Sequence, residues 1–400
     1  MKPIECINIY KSLRILPTGE CSNCCIQEII FKDVHGNMMY PHENTFDEIL
    51  NSYTANQIRE SFQKGERHYG CNKCWIEEDI GIESKRQKDL NYYPEFIPTI
   101  INNPKLIEVI ILDINVSNLC NLKCRTCDGS RSSLWASECK KIFPKKIEAI
   151  NLITKKIENT HKDSSLFWNE YQSNFNNLKY IDFYGGEPFL IKKQIDLLKF
   201  SVDENTSKNI NVHFNTNCTI WNDNIFNIVK EFKHINMAIS IDAINEKATY
   251  IRHPSNWNKV FNNFKLMYKS QLSLDNFLMV VCCSVSNLNV FYLDEVLDVI
   301  EPYVNVYLNI VYNIECFSIR CMPEELKDEV SKKIKPSLIK YNKGDKILNF
   351  MYSKKYDESQ WKFFIDRMSI YDKHRNEKFS ETFPEFYSLI KKYGYYYGNL

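Results

Sequence analysis

Three cysteines fall within eight residues of this chain, Cys120, Cys124 and Cys127 in the run Cys-Asn-Leu-Lys-Cys-Arg-Thr-Cys. Three thiolates at that spacing can wrap one iron–sulfur cluster and leave one of its irons without a protein ligand. A structural zinc site normally closes with four ligands. Here no histidine or fourth cysteine stands at a suitable local spacing, since Cys139 is twelve residues further on. The pattern therefore predicts a cluster with one open iron, and an open iron is a place for a small chelating ligand.

A second signal is Gly185-Gly186-Glu187-Pro188. Consecutive glycines stand out in a chain with only 11 glycines in 400 residues. They let the backbone approach a ligand closely, and Glu187 can accept hydrogen bonds from an ammonium group. The bland alternative is a bare turn. A further set of thiols lies near the start, Cys6, Cys21, Cys24, Cys25, Cys71 and Cys74. Cys71 and Cys74 have chelate spacing, which suits a second iron–sulfur cluster and a structural zinc equally. Cys282 and Cys218 are candidate hydrogen-atom donors, although buried cysteines more often serve as small core residues. None of the eight histidines forms an H-E-x-x-H pair, and no Walker-type or dinucleotide glycine loop is present.

The elements that must position these residues follow a repeated pattern of short apolar strand and helical stretch between 107 and 313, the sign of a parallel α/β domain. Strands are predicted at 109–117, 180–184, 210–216, 237–242, 278–285 and 304–313, with helices at 192–202, 222–232, 257–270 and 292–300. Six such units make a partial (β/α)6 TIM-type barrel, two units short of a closed one. Strand alternation places Asp113, Asn115, Asp182, Tyr184, Asn215, Ser240, Asp242, Cys282 and Ser284 on one face, and Leu112, Ile181, Phe214, Ile241 and Cys283 on the other. A polar face running through five strands suits a polar ligand. Residues 1–105 read as a small separate Cys-rich module, containing an amphipathic stretch at 45–63 that opens on a Thr45/Glu48 cap. Residues 106–315 form the core, and 316–400 a helical, aromatic-rich extension with a helix beginning at Pro323.

Composition bounds the rest. Lys and Arg total 51 against 50 Asp and Glu, a net charge of +1, so bulk charge gives no support to nucleic-acid binding. No apolar run approaches the roughly 18 residues that cross a bilayer, and the first residues lack a signal-peptide apolar region. A cytoplasmic protein is expected. There, 15 cysteines, an odd number, point to metal ligands or reactive thiols rather than a disulfide framework.

The Cys120–Cys127 loop, its flank Ser117-Asn118-Leu119 and the Gly185–Pro188 turn resemble the radical S-adenosylmethionine (SAM) superfamily. Ser132-Ser133-Leu134-Trp135 resembles its twitch-containing subset. The resemblance implies a four-iron, four-sulfur cluster on Cys120, Cys124 and Cys127, with SAM chelating the open iron. Gly185, Gly186, Glu187 and Pro188 match the motif that receives the SAM amine. Asn217 and Ser240 match positions that contact the ribose or carboxylate, and Arg252 matches an arginine that pairs with the carboxylate. Thr126 stands where the family often has an aromatic residue. The N-terminal cysteines resemble the auxiliary cluster-binding half of a twitch domain, placed before the barrel, with Cys6, Cys24, Cys71 and Cys74 as ligands and Cys21 or Cys25 as alternatives. The implied activity is reductive cleavage of SAM to a 5′-deoxyadenosyl radical, which abstracts hydrogen from a peptide or small metabolite in an oxidation, crosslink or epimerisation. The implied electron donor is a flavodoxin or ferredoxin. The rival from another class is a non-enzymatic zinc-thiolate binding module on an α/β scaffold.

Overall fold

A computed structural model describes residues 5–79, 83–103, 107–162, 165–311 and 314–396, with the side chains of 159–162 left out. Among the described residues there are eight strands: β1 Ser12–Ile15, β2 Cys21–Ser22, β3 Ile111–Ile114, β4 Tyr180–Phe183, β5 Asn211–Thr216, β6 His234–Ser240, β7 Phe277–Val285 and β8 Val306–Ile310. Their order is β2-β1-β3-β4-β5-β6-β7-β8, and the sheet does not close into a barrel. The six predicted strands correspond to β3 to β8, shorter at most ends. Asn313, the predicted end of the last one, and the expected domain boundary at 105/106 lie outside the described residues.

The N-terminal residues are not separate from the sheet. Strand β1 pairs parallel with β3, Arg14 opposite Asp113 and Ile15 opposite Ile114, and β2 pairs antiparallel with β1. The four residues Ser-Leu-Arg-Ile are too short and too charged to announce a strand on their own. Their partner supplies the hydrogen-bonded ladder that makes them one.

The chain divides into two compact units, Met1–Leu119 with Ala149–Phe214 and Asn227–Ile235, and Cys120–Glu148 with Asn215–Phe226 and Asn236–Leu400. In the first, the apolar residues of neighbouring strands form continuous rows. Leu13, Leu112, Ile181 and Val212 share one rung, Ile15, Ile114, Phe183 and Phe214 another, and all are almost wholly buried. The Phe183 and Phe214 rings stack at 4.9 Å. Between those rungs lies a polar one, Arg14, Asp113, Asp182 and His213, as strand alternation requires. The Thr45/Glu48 capping box forms, but the amphipathic stretch breaks into helices Phe46–Leu50 and Tyr53–Gln63, because Ser52 caps a new start.

In the second unit β7 pairs parallel with β8. Its helices include Trp257–Leu272, Leu293–Ile300, Glu324–Lys340 and Glu358–Arg375. Pro323 is the N-cap of Glu324–Lys340, close to its predicted place. Val281, Cys283 and Val285 are fully buried, while Cys282 and Ser284 are half-buried on the opposite face. No helix among the described residues is long and apolar enough to cross a membrane.

Candidate functional site

In the first unit, the turn after β4 has both glycines in the left-handed region, Gly185 at φ +77° and Gly186 at φ +55°. Neither position accepts a side chain. A Cβ on Gly185 would stand 2.1 Å from Asn115 Oδ1, and one on Gly186 would stand 2.5 Å from the Leu119 carbonyl oxygen. Glu187 donates its backbone N–H to that same carbonyl at 2.8 Å. The turn is thus fastened to the residue covalently bonded to Cys120. Glu187 is wholly buried, and its carboxylate accepts from the Phe189 N–H at 3.4 Å, capping the short helix Pro188–Leu190. Asn115 is buried against Gly185, and its Oδ1 lacks a hydrogen-bond partner, as an atom facing a ligand would.

Also in the first unit, Cys6, Cys24, Cys71 and Cys74 line one cavity together with Phe62, Lys85 and Arg86. Among the described residues no three His, Cys, Asp or Glu side chains gather closely enough for a single ion, so the four thiols line a space rather than meet at a point. Burial pushes the Cys6 and Cys24 thiols up to about 12, and raises Cys71 and Cys74 as well. A bound cation would favour the thiolate form at such a site. Lys85 and Arg86 also line the wall, each paired with a carboxylate, Asp89 at 2.9 Å and Glu78 at 2.7 Å, and Gln27 presents an Nε2 donor with no partner. Four thiols, two cations and an idle donor fit an anionic thiolate-bound cluster.

The two alternative thiols lie elsewhere. Cys21 is fully buried with its Sγ on the Gly19 carbonyl at 3.6 Å. Cys25 sits beside Lys85, Asp113 and Asp182, near the polar rung of the sheet. Asp182 is buried there, with Oδ1 unpartnered. Loss of solvent pushes its carboxyl up to about 7, against the pull of the Lys85 ammonium.

In the second unit the three-cysteine loop is pinned at several points. Asn217 Nδ2 donates to Asn121 Oδ1 at 2.9 Å and lies 3.9 Å from Cys120 Sγ, while Asn121 Nδ2 donates to Thr219 Oγ1 at 2.8 Å. Burial raises the thiols of Cys124 and Cys127. Arg252 is held by Asp242 through Nη1 at 2.7 Å, its Nε is buried without a hydrogen-bond partner, and it feels the thiols of Cys124 and Cys120. A cation with an idle donor beside the loop cysteines is equipped to bind a carboxylate. Ser240 ends β6 two residues before Asp242, whose Oδ1 accepts from the Ser284 N–H at 2.8 Å.

Cys282 keeps the face predicted for it, in the electrostatic reach of Asp242 and Arg252, and burial lifts its thiol to about 11. Cys218 does not stand at an open strand mouth. Its thiol is fully buried, 3.7 Å from the Val260 carbonyl and 3.9 Å from Met267 Sδ, and packs on helix Trp257–Leu272. Sequence reasoning missed Lys85, Arg86 and Gln27, which have ordinary surface-type compositions and become cavity walls only through folding.

Comparison with known proteins gives two family matches. The family described as Radical SAM superfamily matches residues 114–282, and the one described as Iron-sulfur cluster-binding domain, SPASM, matches residues 6–75. No curated protein matches the chain. Among solved structures, Streptococcus suis SuiB bound to S-adenosylmethionine is similar at 14% identity and TM-score 0.38, over 85% of this chain and 71% of that chain. Native anSMEcpe with bound AdoMet and Cp18Cys peptide is similar at 15% identity and TM-score 0.37, over 62% of each chain.

Proposed function

We propose, from the premise that the chain belongs to the radical SAM superfamily and carries a SPASM-type iron–sulfur cluster-binding domain at its N-terminus, that it is an oxidoreductase acting on a peptide or small metabolite through hydrogen abstraction. Its cofactors are a four-iron, four-sulfur cluster with SAM and auxiliary iron–sulfur chemistry. The match to an iron–sulfur cluster-binding domain supports this reading over the zinc-thiolate rival.

The observation that carries the reading is the bond between Glu187 N–H and the Leu119 carbonyl, which ties the glycine turn to the start of the cysteine loop. In this reading Cys120, Cys124 and Cys127 hold the SAM-binding cluster, while Cys6, Cys24, Cys71 and Cys74 hold the auxiliary one. When bound, cluster and SAM together supply a 5′-deoxyadenosyl radical. The chain's own residues do the rest. Within the first unit, Gly185 and Gly186 leave the backbone open to close approach by a ligand and Glu187 offers a carboxylate to an ammonium group; within the second, Arg252 offers an idle Nε to a carboxylate. Asn217 keeps the Cys120 loop in place, and in this reading Ser240 would contact the ribose or carboxylate. Pro188 fixes the exit of the turn.

The auxiliary cavity supports a net oxidation or crosslink, with an electron leaving through the N-terminal site. Hydrogen return from Cys282 would make the outcome an epimerisation instead. The functional division is 1–105 for the auxiliary module, 106–315 for the radical core and 316–400 for the helical extension. A cytoplasmic location and a flavodoxin- or ferredoxin-type donor complete the proposal.

The test is anaerobic iron and sulfide analysis with SAM cleavage under a strong reductant. About eight irons per chain are expected, and replacing Cys120, Cys124 and Cys127 by Ala removes about half of them and abolishes cleavage. Undiminished cleavage in the triple variant would end this reading.

A further inference from the structure

Between the second and third loop cysteines stands Arg125, whose guanidinium is engaged by partners within the protein. It is wholly buried. Its Nη2 donates to Asp372 Oδ1 at 2.7 Å and Glu377 Oε2 at 2.5 Å, and its Nε donates to the Tyr250 carbonyl at 3.0 Å. The guanidinium lies 3.5 Å from the centre of the Tyr250 ring. Tyr250 in turn donates its hydroxyl to Asp372 Oδ1 at 2.7 Å, and the Phe379 N–H reaches Asp372 Oδ2 at 2.7 Å.

The loop backbone is held as firmly. Lys123 N–H donates to the His253 carbonyl at 2.7 Å, and Arg125 N–H to the Ile251 carbonyl at 2.9 Å. Arg375 Nη2 donates to the Lys123 carbonyl at 2.8 Å, and also to Glu138, which pairs with the Lys123 ammonium at 2.7 Å. Asp372 and Arg375 lie at the end of helix Glu358–Arg375, and Glu377 follows its left-handed cap at Asn376.

We propose that this helix end is a clamp that sets the cysteine loop in its cluster-receiving form, with Arg125, Asp372 and Glu377 as positioning residues. The inference deepens the reading above, since it rests on Cys120, Cys124 and Cys127 holding a cluster. Burying a charged arginine with two carboxylates is a poor way to gain stability, because desolvation offsets most of the attraction and an apolar contact would serve as well. What the network adds is orientation. A planar fork fixed at three directions allows one placement of the residue between two ligands. A loop held that way is preorganised before the cluster arrives, which lowers the cost of ordering it on loading.

The test compares reconstituted holoprotein and its cluster-free form with Asp372→Asn/Glu377→Gln, Arg125→Lys, and the milder Glu377→Gln alone should the double variant not fold. Hydrogen exchange is read on peptides covering 121–127, together with iron content and the change that SAM makes in the EPR spectrum of the reduced cluster. In folded variants, exchange at 121–127 should rise about tenfold or more in the cluster-free form. Iron should fall towards half, the SAM-induced spectral change should weaken, and the N-terminal cluster signal should stay. Asp372→Glu, which keeps the carboxylate, should recover part of the spectral change. Parental exchange and parental spectra in a folded variant overturn the clamp and leave the function reading intact. Iron independent of Cys120, Cys124 and Cys127 overturns the function reading, and the exchange of the cluster-free form then decides the clamp alone.

Discussion

Gly186 and Leu119 are in such close approach that a single methyl group between them has no room, since a Cβ at Gly186 would lie 2.5 Å from the Leu119 carbonyl oxygen. With φ at +55°, Gly186→Ala carries both a left-handed penalty of about 1 to 2 kcal/mol and that clash. It should lower the unfolding temperature and weaken SAM binding together. Thermal unfolding and equilibrium binding check this, and an alanine variant with parental affinity would show that the close approach is not needed.

Glu187→Gln keeps shape and removes charge. If the carboxylate receives an ammonium, SAM affinity should fall by about 1.5 to 3 kcal/mol, tenfold or more. Because Gln can still accept from the Phe189 N–H, the short helix should survive. Calorimetric titration with SAM separates the two effects.

Cys71→Ala with Cys74→Ala should remove about four irons per chain and leave SAM cleavage running. The four thiols share one cavity in the first unit, whereas Cys120, Cys124 and Cys127 belong to the second. Product formation should then fall while deoxyadenosine formation continues. Cys21→Ala should keep its iron, as its thiol is engaged at Gly19.

Asp182 gives a pH dependence whose sign follows from its environment. Burial holds its carboxyl at about 7, where an unfolded chain has about 3.8. Between those values the folded protein retains a proton that the unfolded chain has lost, so this group's stabilising share is present at acid pH and disappears as pH rises through 7. Asp182→Asn has no such proton. Its unfolding temperature should fall less than the parent's between pH 5 and 8, with a differential on the order of 2 kcal/mol. Parallel profiles would refute a protonated Asp182.

Cys282 is the last candidate to be tested. A thiol lifted to about 11 keeps its S–H at neutral pH, the form a hydrogen-atom donor needs. Cys282→Ala should leave SAM cleavage intact and abolish solvent deuterium in the product. Normal incorporation would remove it and favour electron loss through the N-terminal site.

The local chemistry was legible in the sequence because it depends on spacing along the chain. Three cysteines within eight residues, a glycine pair after a strand, and alternation that separates Asp113 and Asp182 from Leu112 and Ile181 are all properties of neighbouring residues. So were the six core strands, each a short apolar run between turn signals. Only the fold decided which of six N-terminal thiols share a cavity, since Cys24 and Cys25 are adjacent in sequence yet face Cys6 and Asp113 respectively. It also decided that Ser12–Ile15 is a strand and that Cys218 belongs to the core, because a ladder partner and a packed helix are contacts between residues 40 to 100 positions apart. The same holds for Arg125 and Asp372, 247 residues apart, whose ion pair no local pattern encodes. Local spacing dictates which atoms can bind a ligand, while burial and long-range pairing dictate which of them are left free to do so.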